Sequence, residues 1–262
     1  MKKKSAIIVF ALLFAGFTFN YCNKEKKSYD TSFSQDNAYV ENVFNNVSNI
    51  ADEAFELSSN RSNLELTTSY YLSECAEVIL DLSTNPYLLS IDFGEENCLC
   101  NDGRYRRGKI MTTFTGMYRE PGTVITHTLE NYFVDNDKVI GTMVVTNTGL
   151  NELEYMQYDV EVNGQVHKAN NGRIISWVSD RTREWIEGRE SFEVMDDVYL
   201  ISGTASGESS DSLSEGNNRK LMNTWQMHTT SPLRVALNCN WVSAGTLIVN
   251  ASGWDEAIIE YG

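Results

Sequence analysis

The sequence has little of several things that mark familiar protein classes. It holds three prolines and three histidines in 262 residues, and basic residues number 21 against 36 acidic ones. A net charge of −15 argues against nucleic acid as a partner, because nucleic acid selects for clustered lysine and arginine. No Gly-x-Ser-x-Gly elbow, complete phosphate loop, dinucleotide fingerprint or calcium loop occurs. We therefore expect no cofactor, no metal and no catalytic residue that the sequence alone can name.

The first 27 residues have the pattern of a bacterial export signal. A lysine triplet near the start is followed by an apolar run over residues 6–19 and then by Cys22. That order is typical of a secretory signal peptide in front of a lipid-modified cysteine. The apolar run is shorter than the roughly 20 residues that a membrane-spanning helix needs. We predict an export signal over residues 1–21, lipid attachment at Cys22 and a lipid-anchored tether over residues 22–35.

Two alternatives to lipidation stay open. The residue before Cys22 is Tyr21, whereas signal cleavage sites favour small residues. Ordinary secretion with Cys22 unmodified, or an uncleaved anchor helix, would also fit the pattern. With lipidation, the membrane is a partner through Cys22, and the protein is anchored in the outer membrane, facing either the cell surface or the periplasm.

Four cysteines follow the N-terminal one, at Cys75, Cys98, Cys100 and Cys239. An even number in an exported chain indicates disulfide bonds, with three connectivities allowed. Because a bond between Cys98 and Cys100 would close a very tight ring, we predict that Cys75 bonds to the loop containing both. A second predicted bond joins Cys239 to that loop. The alternative is a zinc site of four thiolates, but the usual paired Cys-x-x-Cys knuckles are missing.

The rest of the chain divides into one helix and a long β region. Apolar residues between Val40 and Phe55 recur at three- and four-residue spacing, with acidic and amide side chains between them. This pattern predicts an amphipathic helix over residues 36–57, N-capped by Asp36, that packs on a sheet. Over residues 70–262, β-branched and aromatic residues are punctuated by short turn sequences, so we predict an antiparallel β domain there.

Short connections within the β region indicate neighbouring antiparallel strands, hence a meander. Hairpin turns are predicted at residues 135–138 and at Asn163-Gly164, and separate strands at residues 173–178 and 182–186. Residues 207–218 are predicted to form a polar loop. The predicted fold class is mainly β: an antiparallel meander forming a large twisted sheet, a sandwich or an open barrel, with the N-terminal helix packed on it.

Several short motifs in the β region resemble a known group of proteins. They are Ile91-Asp92-Phe93-Gly94, Asp102-Gly103-Arg104, Arg106-Arg107-Gly108-Lys109-Ile110, Asn131-Tyr132-Phe133-Val134, Gly141-Thr142, Arg181-Thr182-Arg183-Glu184-Trp185-Ile186-Glu187-Gly188, Asp196-Asp197-Val198-Tyr199 and Gly203-Thr204-Ala205-Ser206-Gly207. On these motifs the chain resembles a family of uncharacterised Bacteroidota-type β-rich lipoproteins, a domain of unknown function, over roughly residues 75–262. The resemblance implies an exported β-rich domain behind a lipid anchor. It implies no activity, ligand or catalytic residue, so no site is carried over.

Five residues form a candidate ligand surface. Arg104 and Arg106 stand near one strand start, and Arg181, Arg183 and Trp185 alternate along another predicted strand. Alternate residues of a strand share a face, and arginine forks bind carboxylates and phosphates bidentately. These side chains could therefore recognise an anionic ligand over an aromatic floor. We favour the alternative, in which the arginines make cross-strand ion pairs. The predicted partners are Glu130, Glu154, Asp159, Glu161 and Glu184.

A run of acidic residues supports a second interpretation of function. Asp196 and Asp197 follow Glu187, Glu190 and Glu193 in the sequence. Glycosidases use two carboxyl groups held roughly 5–10 Å apart across the sugar. Adjacent residues of a strand point to opposite faces, however, so a solvated acidic loop is the interpretation that we favour. The five tryptophans (Trp177, Trp185, Trp225, Trp241 and Trp254) are predicted to fill the core rather than to stack on sugars.

Together these patterns favour an exported, lipid-anchored cell-envelope protein that acts as a non-enzymatic binding or scaffolding module. The expected partners are the membrane, through the lipid on Cys22, and a glycan or an envelope protein as ligand. The alternative is a glycan-acting hydrolase that uses Asp197 or a glutamate from residues 184–193 as acid or base.

Overall fold

A computed structural model of the protein describes residues 32–59, 69–191, 194–210, 221–239 and 242–262. The predicted export signal, Cys22, most of the predicted tether and Trp241 lie outside the described residues. The described helix and strands are α1 (Ser32–Ser59), β1 (Glu77–Asp81), β2 (Tyr87–Asp92), β3 (Cys98–Leu99), β4 (Tyr105–Phe114), β5 (Val124–Val134), β6 (Asp137–Leu150), β7 (Met156–His167), β8 (Ile174–Glu187), β9 (Val198–Ser210), β10 (Leu221–Ala236), β11 (Ala244–Ala251) and β12 (Ala257–Tyr261).

All twelve strands belong to one antiparallel sheet. Its order is β1-β2-β4-β5-β6-β7-β8-β9-β10-β11-β12, and the two-residue strand β3 pairs with the start of β4. Each strand from β4 onward pairs with the next one in the chain, so the predicted meander is confirmed. The strands β1 and β12 stand at the two ends of the order and do not pair with each other. The structure is therefore a single open sheet rather than a sandwich.

Burial alternates along the strands because successive side chains point to opposite faces of a sheet. In β7, Val160, Val162 and Val166 are buried, whereas Glu161 and Gln165 between them are exposed. The same two-residue period runs through β6 and β8. One face of the sheet is thus covered and apolar for much of its area, and the other face meets solvent.

Helix α1 lies against the covered face. Its buried stripe includes Val40, Val43, Phe44, Val47, Ile50, Ala51 and Ala54. Phe44 stacks on Trp177 of β8 with ring centroids 6.1 Å apart, and Phe55 lies 5.3 Å from Phe114 of β4. The helix therefore crosses strands that are distant in the sheet order. Within the described ranges, no helix is long and apolar enough to cross a membrane.

The helix begins earlier than the apolar spacing predicts. It starts at Ser32, so the last four residues assigned to the tether are helical. Asp36 is not an N-cap, because it lies inside the helix, where it is buried and its Oδ1 is 3.0 Å from Nη1 of Arg173. The Asp36 carboxylate therefore pairs with Arg173, which lies just before β8, and does not cap the helix.

Some predicted turns and strands differ from the structure. The turn at residues 135–138 is confirmed, with Asp135 and Asn136 at φ 50° and 71° between β5 and β6. Asn163-Gly164, by contrast, lies in the middle of β7. The two predicted strands at 173–178 and 182–186 are one strand, β8, which begins at Ile174. Residues 207–210 belong to β9, and the rest of the predicted loop lies outside the described residues.

Gly164 shows why an Asn-Gly pair stands inside a strand here. A Cβ atom at this position would lie 2.1 Å from the ring of Phe44 on α1. The absence of a side chain thus lets the helix approach the sheet closely. The glycine serves packing, whereas the sequence pattern alone is typical of a tight turn.

Candidate functional site

The five residues of the candidate ligand surface share one face of the sheet, and it is the face that α1 covers. On β4 and the turn before it, Arg104 donates from Nε to Asp135 at 3.0 Å, and Nη1 lies 3.4 Å from Asn42 Oδ1. Arg106 is fully buried and makes a bidentate pair with Asp102, at 2.7 and 2.6 Å. Its Nη2 also donates to Asn46 of α1 at 3.2 Å.

The three residues on β8 also lie on the face that α1 covers. Arg181 is buried, with Nη2 3.6 Å from Oε1 of Glu41 on α1. Arg183 donates from Nη2 to the hydroxyl of Tyr118 at 2.7 Å. Trp185 is buried and donates from Nε1 to Asp197 at 3.0 Å. The predicted shared face of these three side chains is confirmed.

The predicted partners of the arginines were wrong. The ion pairs that these arginines make in the described part of the chain join Arg104 to Asp135, Arg106 to Asp102 and Arg181 to Glu41. None of these partners lies on a strand directly opposite the arginine, because the arginines turn toward the helix side of the sheet. A solvent-exposed anion-binding patch made of these five residues is therefore not what the fold presents.

Around Arg183 the structure brings together side chains that the sequence did not connect. The Arg183 cluster consists of Arg183, Asp52, Tyr118, Tyr158 and Tyr199. The guanidinium carbon of Arg183 lies 5.4 Å from the Tyr158 ring centroid and 4.9 Å from that of Tyr199. Tyr118 and Tyr158 stack with centroids 4.9 Å apart. Aromatic faces and one phenol oxygen thus surround this positive charge.

Burial shifts the titration of several groups near the Arg183 cluster. It raises the pKa of Asp52 to about 7, against the pull of Arg183, with Glu56 and Asp197 adding to the rise. It also raises the pKa of Asp197, which the hydrogen bonds from Tyr199 and Trp185 oppose. The pKa of His127 is lowered to about 4, first by burial and then by the charge of Arg183. Burial in this region therefore opposes charge on these two acids and on the histidine.

The described carboxylates of the acidic run beside this cluster are hydrogen-bonded or ion-paired to neighbouring side chains. Asp197 accepts hydrogen bonds from Trp185 Nε1 and from the Tyr199 hydroxyl, both at 3.0 Å. Asp196 accepts from Ser191, and Glu187 pairs with Arg234 at 3.1 Å. An adjoining surface cleft of about 650 Å³ is lined by four acidic residues, Glu154, Glu187, Glu190 and Asp196, but not by Asp197. Glu193 lies outside the described residues.

The cysteines form one of the two predicted disulfides. Cys75 and Cys98 are bonded across 23 residues, which confirms the bond from Cys75 to the double-cysteine loop. The second predicted bond is wrong, because Cys100 and Cys239 are both free. Cys100 is buried next to β4, Cys239 is exposed after β10, and five strands lie between β4 and β10 in the sheet order. Burial raises the pKa of the Cys100 thiol.

A shallow trough of about 560 Å³ lies on the solvent face of the sheet, across β7 to β11. Its floor is the backbone of the register row Gly164, Trp177, Gly207, Trp225 and Ala251, whose side chains face the helix. One wall is the row Gln165, Ser176, Glu208 and Thr224. The other wall is the row Asn163, Val178, Ser206, Gln226 and Asn250. Amide and hydroxyl groups dominate both walls.

Sequence reasoning missed this trough, although part of its signal is visible in the chain. The alternation within β7 places Asn163 and Gln165 on the solvent face. The register that aligns them with Ser206 and Gln226 becomes known only when the strands are paired. Among the residues that the structure describes, no three His, Cys, Asp or Glu side chains are grouped as a metal site would require.

Comparison of the chain with protein-family models, with curated proteins and with solved structures finds no match in any of the three. The resemblance to uncharacterised Bacteroidota-type lipoproteins therefore stays a prediction.

Proposed function

We propose that this chain is an exported cell-envelope protein, anchored by a lipid on Cys22, whose β domain is a non-enzymatic binding or scaffolding module. The observation that carries the proposal is the order of lysine triplet, short apolar run and Cys22 at the N-terminus. In this proposal the protein is attached to the outer membrane and faces either the cell surface or the periplasm.

The Cys75–Cys98 disulfide supports export. Disulfide bonds persist in oxidising compartments such as the bacterial periplasm and are rare in the cytosol. The strong negative charge of the chain fits the same setting, because net charge keeps a protein soluble and monomeric. Neither observation depends on the lipid, so both also fit the alternative of ordinary secretion.

The arrangement of the carboxylates favours binding over hydrolysis. In the hydrolase alternative, Asp197 would act as acid or base, but both of its oxygens are held by Trp185 and Tyr199. Its nearest acidic neighbour in sequence, Asp196, accepts from Ser191. A glycosidase needs two carboxyl groups facing one substrate across roughly 5–10 Å. The solvent-face trough across β7 to β11, in contrast, offers a ligand a surface lined mainly by amide and hydroxyl groups.

Cell fractionation of the native protein and of Cys22→Ser tests the proposal. We expect the native protein to sediment with membranes and to be released only by detergent. The Cys22→Ser variant lacks the thiol that carries the lipid, so its intact mass should show no added acyl groups. A native protein found in the soluble fraction, or a variant that carries the same added mass as the native protein, would overturn the lipid anchor.

A further inference from the structure

We infer that the solvent-face trough across β7 to β11 binds a neutral, extended glycan chain. The inference rests on the proposed function in one respect, since it names a ligand for the proposed binding module. Three observations support it: the shape of the trough, the chemistry of its two walls and the contacts that fix its floor.

The walls present groups that match sugar hydroxyls. Gln165 and Gln226 are exposed, and a glutamine amide carries two N–H donors together with a carbonyl acceptor. Ser176 and Ser206 add hydroxyls, each of which both donates and accepts. A sugar hydroxyl has the same dual character, so adjacent hydroxyls of one ring can each find a partner. Gln165 and Ser176 already lie within hydrogen-bond distance of each other, at 3.2 Å.

The trough differs in charge from the surface beside it. Its walls contain one carboxylate, Glu208, and no lysine or arginine. The next row on the same face holds Glu161 and Asp180 directly opposite each other. An anionic polymer would find no basic partner in the trough and would meet acidic side chains at its side. A cationic ligand would be drawn to the acidic row rather than to the amides.

The fold gives the trough the dimensions of a chain-binding site. It crosses five strands, which at about 4.8 Å spacing makes a length of about 19 Å. The two walls stand two residues apart along each strand, or about 6.7 Å. At the floor, Trp177 and Trp225 point away from solvent, and their indole N–H groups donate to Asn37 of α1 at 2.9 and 3.1 Å. The contacts with α1 therefore fix the position of the floor from the covered face of the sheet, with or without a ligand.

A glycan suits this site better than an extended peptide does. The backbone groups of the floor are already paired within the sheet, so they cannot extend the ladder to a further strand. Extended peptides gain affinity mainly from a ladder of main-chain hydrogen bonds at an exposed sheet edge, which this face does not offer. A glycan has no such ladder to form, and its hydroxyls can be satisfied by the side-chain amides and hydroxyls of the walls.

Titration calorimetry with the full-length protein in detergent tests the inference. The neutral probes are cellohexaose, laminarihexaose, maltohexaose and mannohexaose. An acidic hexamer of galacturonic acid and the neutral peptide (Gly-Ser)₆ serve as comparison ligands. We expect at least one neutral hexasaccharide to bind, and we expect Gln226→Ala to weaken that binding by about tenfold, the effect of losing one well-made hydrogen bond. Ser206→Trp should abolish binding by filling the trough.

The control for Gln226→Ala is Gln157→Ala, which removes the same kind of side chain from β7 at a position outside the trough. It should leave binding unchanged, and all variants should melt with the native protein. Binding that survives both Gln226→Ala and Ser206→Trp would overturn the inference. So would tighter binding of the acidic hexamer or the peptide, or no binding of any neutral probe. Membrane attachment in the fractionation experiment is independent of these outcomes, so failure of the trough leaves the lipid anchor to be judged separately.

Discussion

At the scale of single residues, the helix–sheet contact depends on a few polar groups that lie inside an apolar interface. Asn37 of α1 is buried, and its Oδ1 accepts hydrogen bonds from both Trp177 Nε1 and Trp225 Nε1. One amide oxygen thus satisfies the donors of two indole rings on neighbouring parts of the sheet. These bonds span 140 and 188 residues of sequence, so they tie the start of the chain to its later strands.

Replacing Asn37 by alanine should lower the free energy of unfolding by about 2–4 kcal/mol, because two buried indole N–H groups lose their acceptor. Chemical denaturation followed by tryptophan fluorescence measures the loss directly. Asn45→Ala, on the exposed side of the same helix, is the control and should change stability by less than about 0.5 kcal/mol. Equal stability of the two variants would show that the indoles do not depend on Asn37.

His127 makes stability depend on pH in a defined direction. Its pKa is lowered to about 4 in the folded protein, from an ordinary value near 6.5. A lowered pKa means that the unfolded chain binds the proton first, so His127 costs no stability above pH 6.5 and progressively more as pH falls toward 4. The loss by pH 4 is roughly 3 kcal/mol.

The variant His127→Gln does not titrate, and it isolates this effect. Between pH 8 and pH 4 the free energy of unfolding of the native protein should fall by roughly 3 kcal/mol more than that of the variant. Urea denaturation at several pH values gives both curves. Parallel curves would mean that His127 is protonated as easily in the folded protein as in the unfolded chain.

At the scale of elements, the packing of α1 on the sheet depends on the close approach of the Phe44 ring to Gly164. Gly164→Ala should destabilise the protein by about 1–3 kcal/mol, because its Cβ would lie 2.1 Å from the Phe44 ring. Phe44→Leu removes that ring, so the double variant should lose less than the sum of the two single changes. Additive losses in the double-mutant cycle would contradict the proposed steric cause.

The Cys75–Cys98 bond ties the segment before β1 to the two-residue strand β3. A cross-link over 23 residues stabilises a protein by about 3 kcal/mol through its effect on the unfolded chain. Replacing both cysteines by serine should cost that amount in unfolding experiments. The single change Cys239→Ser should cost nothing measurable, because that thiol is exposed and free. A large loss from Cys239→Ser would indicate a second disulfide.

The elements themselves could be predicted where local patterns are strong. The three- and four-residue spacing from Val40 to Phe55 placed α1 on a sheet, and alternation placed most strands. Asn163-Gly164 was misassigned because the pair is typical of a turn, and only the position of Phe44 explains a glycine there. The predicted disulfide of Cys239 was wrong for a related reason. The spacing of cysteines in the sequence does not show how many strands lie between them in the sheet.

At the scale of the whole molecule, the sheet has two faces with different chemistry. The covered face holds Arg106, Arg181 and Arg183, which pair with the Asp102 turn, with the helix and with tyrosine, respectively, and the solvent face holds the neutral trough. Sequence reasoning grouped Arg181, Arg183 and Trp185 correctly on one face but could not tell which face it was. That choice depends on where α1 packs, which no local pattern records. The trough depends on the register of five strands and was equally beyond local patterns.

The lipid anchor on Cys22 is the centre of the proposed function, and the intact mass of the protein recovered from membranes tests it. We expect a chain that begins at Cys22 and carries the added mass of acyl groups on that residue. The mass of an unmodified chain, whether cleaved elsewhere or uncleaved, would contradict the lipid anchor and leave an exported β domain without one.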